Sequence, residues 1–200
     1  MKIKNLVGKL ITIRFTDRKD PIRGFVIEHN DEWILMKHNV VDYVIDGCII
    51  VRNKNIKSIR REKEEKFIEN ILFLKGMKLT YMDVIPLTGI VSIMSYLTEY
   101  FKVVEIETKS ENACYLGRLK SLESKVLVID YLNTRGRWDG EMKLRPGDIR
   151  VIQYNTDYIN SLKLVLKQEE MKKFAKENVT AAKAPEPKKK KEATGRRKAG

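Results

Sequence analysis

The chain has few of the residues that build metal centres and disulfide frameworks. Its 200 residues include two cysteines and two histidines. Cys48 and Cys114 form no motif, so neither a disulfide scaffold nor a thiolate zinc site is expected. His29 and His38 lack the spacing of a paired metal site and have no cysteine ligand nearby. The sequence therefore predicts a reduced, cytoplasmic chain that holds no metal.

Long apolar runs are also missing. The first residues lack the apolar stretch of a signal peptide. Residues 84–98 carry no charge, but this run is shorter than the ~20 residues that span a bilayer. We interpret the run as a buried connector, with a membrane-associated segment as the less favoured alternative. No integral membrane segment is expected.

No catalytic constellation stands out in the sequence. A glycine-rich phosphate loop, a nucleophile elbow and a metal-binding helix motif are all missing. Asp46 and Asp139 occupy equivalent positions of the repeat described below, but each precedes a glycine, and Asp-Gly is typical of a turn. We therefore expect a non-enzymatic protein without a cofactor, in which both Asp-Gly pairs form strand-entry turns.

Positive charge is abundant and unevenly distributed. The net charge is +13, and residues 183–200 contain eight Lys or Arg against two Glu. A basic balance suits RNA, another polyanion or an acidic protein as partner. For the part before the tail, where the excess is more dilute, solubility alone is an equally good explanation.

The same unit occurs twice in the chain, offset by 93 residues without a gap. Gly24 aligns with Gly117, and Arg52 aligns with Arg145. The two Asp-Gly pairs also align, and the apolar pattern between these anchors agrees. A period of 93 residues is the size of a domain, so the chain is predicted to contain two similar small domains.

Five short β-rich runs follow one another in each copy. Ile11 and Ile13 alternate with the polar Thr12 and Arg14, which is the period of a half-buried strand. Such patterns predict strands at 9–15, 22–29, 32–38, 48–51 and 56–59, and again at 102–108, 114–121, 125–131, 141–145 and 149–153. Five short strands within about fifty residues favour a small antiparallel barrel.

Apolar residues at helical spacing predict a helix after each set of strands and a third helix near 88–100. From about residue 178 the chain becomes rich in Lys, Ala and Pro, and this composition predicts disorder. The predicted organisation is a first barrel with its helix at 1–76, a connector with a helix at 77–101, a second barrel with its helix at 102–177 and a disordered basic tail at 178–200.

The strand motifs resemble those of the Sm-like small-barrel superfamily over about residues 6–60 and 102–153. Residues 6–13 are similar to an Sm first strand, and 51–59 and 144–152 are similar to the second Sm motif. These patterns also describe SH3-like barrels. The predicted fold class is mainly β with helices: two five-stranded antiparallel SH3-like or Sm-like barrels related by the repeat, connecting helices and a disordered basic tail.

This resemblance implies binding of single-stranded RNA through the loop between the second and third strands and through the arginine turn. The residues that it places on the surface of the first copy are His29, Asn30, Arg52 and Lys54, and those of the second copy are Arg145 and Arg150. The family's usual Asp and Asn are not matched in the first motif. The alternative that Arg52 and Arg145 only cap strand ends or pair with acidic residues stays open.

The tail is predicted to provide a second, sequence-independent contact with a polyanion, and a purely solubilising extension is the equally open alternative. Its candidate contacts are Lys188, Lys189, Lys190, Lys191, Arg196 and Arg197. The leading hypothesis is an RNA-binding protein, and the alternative is a protein-interaction or scaffold module built on tandem barrels.

Overall fold

The computed structural model of the chain describes residues 3–79, 85–109, 114–123 and 125–182, with side chains up to residue 175. The strands and helices within these ranges are, in chain order, β1 (Leu10–Phe15), β2 (Ile22–His29), β3 (Trp33–Val41), β4 (Val44–Arg52), β5 (Ile56–Arg60), α1 (Lys63–Leu74), α2 (Ile90–Phe101), β6 (Val104–Thr108), β7 (Cys114–Glu123), β8 (Val126–Leu132), β9 (Trp138–Leu144), β10 (Ile149–Tyr154) and α3 (Asp157–Ala182).

All ten of these strands belong to one open antiparallel sheet, so the prediction of two closed five-stranded barrels is wrong. The strand order is β5-β1-β2-β3-β4-β10-β6-β7-β8-β9. Closing the first barrel would require β4 to meet β5. Instead β4 pairs with β10, with Val51 opposite Val151 and Ile50 opposite Ile152. The two sets of five strands therefore join edge to edge.

The chemistry of the strands explains why β4 and β10 meet. Residues 48–51 of β4 are buried on both faces, and so are Val151, Ile152 and Tyr154 of β10. Strands that are apolar on both faces belong in the middle of a sheet. The outermost strands β5 and β9 instead carry several charged residues, which discourage further edge pairing.

The 93-residue repeat is present in the order of the elements. Both halves of the sheet have the same internal order, because β10 stands in the second half where β5 stands in the first. Gly24 and Gly117 occupy matching positions in β2 and β7. A Cβ on Gly24 would lie 2.5 Å from the carbonyl oxygen of Lys37, and one on Gly117 would lie 2.4 Å from that of Asp130. Both glycines are therefore required by the same close approach of a neighbouring strand.

The Asp-Gly pairs lie inside strands and not in turns before them, which corrects that prediction. Asp46 and Gly47 together face a single residue of β3, and Asp139 and Gly140 do the same opposite β8. Gly47 and Gly140 have positive φ angles of 61° and 81°. Each pair is thus a β-bulge that contains a left-handed glycine.

The bulge in β4 also contacts the start of the last helix. The Asp46 carboxylate accepts a 2.7 Å hydrogen bond from the backbone N–H of Asp157, the first residue of α3. A Cβ on Gly47 would lie 2.6 Å from the carbonyl oxygen of Tyr154, which leads into that helix. The bulge therefore anchors α3 to the first half of the sheet.

The core lies on both faces of the sheet centre. Cys48 and Ile50 of β4 join a cluster that includes α2, whereas Ile49 and Val51 join a cluster with β1 and β2. The buried residues of 85–98 belong to the first of these clusters, so this run is buried in its described part, and its role as a connector between domains stays a prediction.

All three predicted helices are present, and the last is longer than predicted. α3 continues to Ala182, past the predicted start of the tail at residue 178, and residues 183–200 lie outside the described ranges. By its internal contacts the chain divides into two compact units, Met1–Leu166 and Lys167–Gly200. The sites discussed below belong to the first unit.

Candidate nucleic-acid interface

The turn between β1 and β2 is tied to two other parts of the sheet. The backbone N–H of Thr16 donates to the carbonyl oxygen of Asn55 at 2.8 Å, and the Asn55 amide donates to the Asp17 carboxylate at 2.6 Å. Asp17 also pairs with Arg150 of β10 at 3.3 Å, and Arg18 pairs with Glu107 of β6. These contacts hold the turn in one conformation over the junction of the two halves.

Four cations converge on an open concavity beside this turn. The concavity has a volume of about 550 Å³ and is lined by Arg14, Arg18, Lys19 and Lys57, together with Phe15, Thr16 and Pro21. No carboxylate among the described residues lines it. We call Arg14, Arg18, Lys19 and Lys57 the cationic surface.

Two members of the cationic surface are available for a ligand. Arg14 and Lys57 are exposed, and neither side chain makes a hydrogen bond or an ion pair with any residue that the structure describes. Arg18 is partly engaged, because it pairs with Glu107 and its Nε donates to the carbonyl oxygen of Asp20 at 3.1 Å. A bound anion would gain two uncommitted cations without breaking an existing contact.

A narrow cleft continues the cationic surface toward the second half of the sheet. Arg18, Lys109 and Arg150 line it together with Asp17. Its volume is about 20 Å³, which holds roughly one water molecule. Nε and Nη1 of Arg150 are buried there and have no hydrogen-bond partner among the described residues. The cleft is too small for a phosphate group, so it extends the positive field without adding a binding pocket.

In the loop between β2 and β3, the predicted RNA-contact residue Asn30 instead stabilises the hairpin. The Asn30 carbonyl accepts hydrogen bonds from the backbone N–H groups of Glu32 and Trp33 at 2.9 and 2.7 Å, and its amide donates to the carbonyl oxygen of Leu87 at 2.6 Å. His29 is half-buried at the end of β2. Asn30 therefore shapes the turn and holds it against the segment before α2.

Arg52 joins the two halves of the sheet. Its guanidinium lies 4.8 Å from the centre of the Trp33 ring, pairs with Glu32 at 2.7 Å and donates to the carbonyl oxygen of Pro146 at 3.2 Å. The side chain is only 12% exposed. This geometry matches the alternative in which the arginine pairs with an acidic residue.

The other predicted contacts are scattered. Lys54 and Arg145 are exposed, and Arg150 is 15% exposed and pairs with Asp17. Lys109 forms an ion pair with Asp148 at 2.6 Å, and its hydrogen bond holds the pKa of that carboxyl below the ordinary value. The tail candidates, from Lys188 to Arg197, lie outside the described residues. Of the predicted contacts in the sheet, only Arg150 adjoins the cationic surface.

Sequence reasoning missed the cationic surface because its members are far apart in the chain. Arg14 lay on the polar side of the alternating first strand, and no motif singled out Lys57 in the fifth. The pairing of β1 with β5, in which Arg14 faces Ser58, brings them together. The available signal was an alternating strand followed by a turn that contains Arg18 and Lys19.

A second polar cluster lies on the sheet near His38. Gln153 donates to Glu105 and Glu107 at 3.2 and 3.1 Å. Burial and the neighbouring Glu107 raise the pKa of Glu105, whereas burial lowers the pKa of His38 despite its hydrogen bond with Gln153. Within the described ranges, no three His, Cys, Asp or Glu side chains are grouped so that they could hold a metal ion.

Comparisons of the chain with protein-family models, with curated proteins and with solved structures found no match. In the part of the chain that the structure describes, no helix combines the length and the apolarity needed to cross a bilayer. A function for the chain is therefore argued from the geometry of the site.

Proposed function

We propose that the protein binds nucleic acid, with RNA as the favoured ligand, and that the cationic surface is its contact within the sheet. The observation that carries this proposal is the open concavity in which Arg14 and Lys57 have no acidic partner among the described residues. Its volume of about 550 Å³ is open to solvent and leaves room for a phosphate group beside these cations. The Lys-rich tail would add further phosphate contacts.

The composition of the cationic surface favours contact with phosphates over reading of bases. Its aromatic member, Phe15, is 8% exposed and offers little surface for a base to stack on. Arginine and lysine contacts to phosphate position a strand but carry no sequence information. We therefore propose weak sequence preference. A scaffold module remains the alternative function, and a cytoplasmic location remains a prediction.

The test is a titration of full-length protein with a fluorescent single-stranded RNA at several salt concentrations. We expect the double variant Arg14→Gln, Lys57→Gln to bind more weakly and to flatten the slope of log affinity against log salt by about 1.4. This value follows from about 0.7 for each phosphate of a single strand that the variant no longer neutralises. Deletion of 183–200 should flatten the slope further and weaken all sequences by a similar factor.

The matched control is Arg135→Gln, Arg137→Gln, which also removes two exposed positive charges. These arginines lie between β8 and β9, at the end of the sheet opposite β5 and β1. The control should keep the wild-type slope. Equal slopes for both variants would contradict the assigned surface, and a full-length protein that binds no RNA or DNA near ~50 mM salt would overturn the nucleic-acid proposal.

A further inference from the structure

The tip of the hairpin between β3 and β4 exposes apolar side chains on both of its faces. Val40, Val41, Tyr43 and Val44, which we call the apolar tip, are 45%, 56%, 37% and 47% exposed. Successive residues of a strand point to opposite faces, so a hairpin lying flat on the protein would cover every second residue. Exposure of consecutive residues shows that the tip projects from the sheet.

The end of α1 extends this apolar surface. The Lys75 ammonium donates a 2.9 Å hydrogen bond to the carbonyl oxygen of Tyr43, which places the helix end beside the tip. Phe73 and Leu74 are 42% and 79% exposed there. Single exposed apolar residues are ordinary, but a contiguous group of them marks an interaction surface.

The repeat supplies an internal comparison. In the second copy, the positions equivalent to the apolar tip are occupied by polar residues or glycine, namely Asn133, Thr134, Gly136 and Arg137. The Asn133 side chain closes that hairpin by accepting hydrogen bonds from the backbone N–H groups of Arg135 and Arg137. The same hairpin is thus built without exposed valines, so the fold does not require an apolar tip.

Lysines lie on the side of the apolar tip that faces α1, where the Lys75 ammonium contacts the Tyr43 carbonyl oxygen. Lys75 and Lys78 are exposed, and Lys37 reaches the carbonyl oxygen of Lys78 at 3.4 Å. Asp42, between Val41 and Tyr43, is the acidic residue of the tip itself. A projecting apolar knob with a rim of lysines on the side of α1 complements an anionic lipid bilayer, whose headgroups are negatively charged and whose interior is apolar.

We propose that the apolar tip and the end of α1 insert into the headgroup region of an anionic membrane. The lysines of the rim contact lipid phosphates and carboxylates while the valines enter the boundary of the acyl chains. A convex knob suits this occupant better than a peptide helix, which needs a groove to lie in. This binding does not depend on the cationic surface proposed to bind nucleic acid.

The experiment is co-sedimentation of full-length protein with vesicles of mixed phosphatidylserine and phosphatidylcholine, compared with vesicles of phosphatidylcholine alone. The variant Val41→Ser, Val44→Ser should lower the partition coefficient by about tenfold or more, since each buried methylene contributes roughly 0.8 kcal/mol. The loss should persist near ~1 M salt, where charges separated by more than ~3 Å are screened and the basic tail no longer contributes. The control Thr134→Ser changes the equivalent tip of the second copy and should bind like wild type.

Two further measurements decide the outcome. Lys75→Gln, Lys78→Gln should weaken binding to the anionic vesicles at low salt but not at high salt. In a Tyr43→Trp variant, the added fluorescence should shift to the blue with anionic vesicles. Equal binding of wild type and the Val41→Ser, Val44→Ser variant at high salt would overturn the proposal. Light scattering that shows a wild-type dimer absent from this variant would instead assign the tip to self-association.

Discussion

Replacement of Glu65 with glutamine is expected to lower the free energy of unfolding by about 2–3 kcal/mol, because a buried carboxylate that accepts three hydrogen bonds is lost. Glu65 lies in the first turn of α1, and its side chain is 0% exposed. One oxygen accepts 2.8 Å hydrogen bonds from Thr12 of β1 and from Arg60 of β5, and the other accepts one from the backbone N–H of Glu62. Glutamine has one acceptor oxygen and cannot satisfy all three donors.

The matched control is Glu64→Gln. Glu64 is the adjacent residue and also pairs with arginines, but it is 53% exposed, so its substitution should cost no more than about 1 kcal/mol. Urea unfolding of both variants measures the difference. A cost of less than about 1 kcal/mol for Glu65→Gln, equal to that of the control, would show that the buried carboxylate does not hold α1 to the sheet.

The stability that Glu65 contributes should also depend on pH. Burial alone would raise the pKa of Glu65, but the hydrogen bonds from the Glu62 N–H, from Thr12 and from Arg60 outweigh it and hold the pKa below the ordinary 4.5. The contribution is therefore fully present above pH 4.5 and is lost as the pH falls through the lower, folded-state value. The Glu65→Gln variant should lose less stability than wild type between neutral pH and this acidic range.

The second large effect is expected at the repeated glycines. Gly24→Ala and Gly117→Ala should each lower the free energy of unfolding by about 1–3 kcal/mol, the range of overpacked cores. The added methyl would meet a backbone carbonyl oxygen of the next strand, at 2.5 and 2.4 Å respectively, and backbone cannot turn aside as a side chain can. Because the two sites are equivalent, the two losses should be similar.

Gly147→Ala is the control for this pair of variants. A Cβ at Gly147 would meet nothing within 4 Å, and the residue does not have a left-handed φ angle. Its substitution should be neutral or slightly stabilising. If Gly24→Ala were as stable as this control in urea unfolding, the close approach of β2 and β3 would not be the reason for the glycine.

Much of the local structure could be predicted from the sequence. The alternation of Ile11 and Ile13 with polar neighbours marked β1, and the gapless offset of 93 residues marked the second set of strands. Both are consequences of local geometry, because side chains alternate along a strand whatever it pairs with. The Asp-Gly pairs were recognised as sites of unusual backbone. Their assignment to turns was wrong, because a turn and a glycine bulge demand the same residues.

The candidate site was less predictable than the strands. Arg52 and Asn30 are of the residue types that contact RNA, but both bind other parts of the protein. Arg52 contacts Pro146 and Glu32, and Asn30 donates to the carbonyl oxygen of Leu87. The sequence does not show which polar groups form hydrogen bonds within the folded protein. For the cationic surface, the sequence showed too little instead of too much. Arg14 and Lys57 are ordinary cations in the sequence, and only the pairing of β1 with β5 brings them together.

The sequence by itself determined where the strands and helices lie and that the unit occurs twice, with Gly24 aligned to Gly117. Only the tertiary structure decided that β4 meets β10 instead of β5, which makes one open sheet from two expected barrels. The physical reason is that the backbone hydrogen bonds of a strand edge accept any partner, so burial selects among the edges. Here β4 and β10, which are apolar on both faces, paired with each other and left the charged strands β5 and β9 outside.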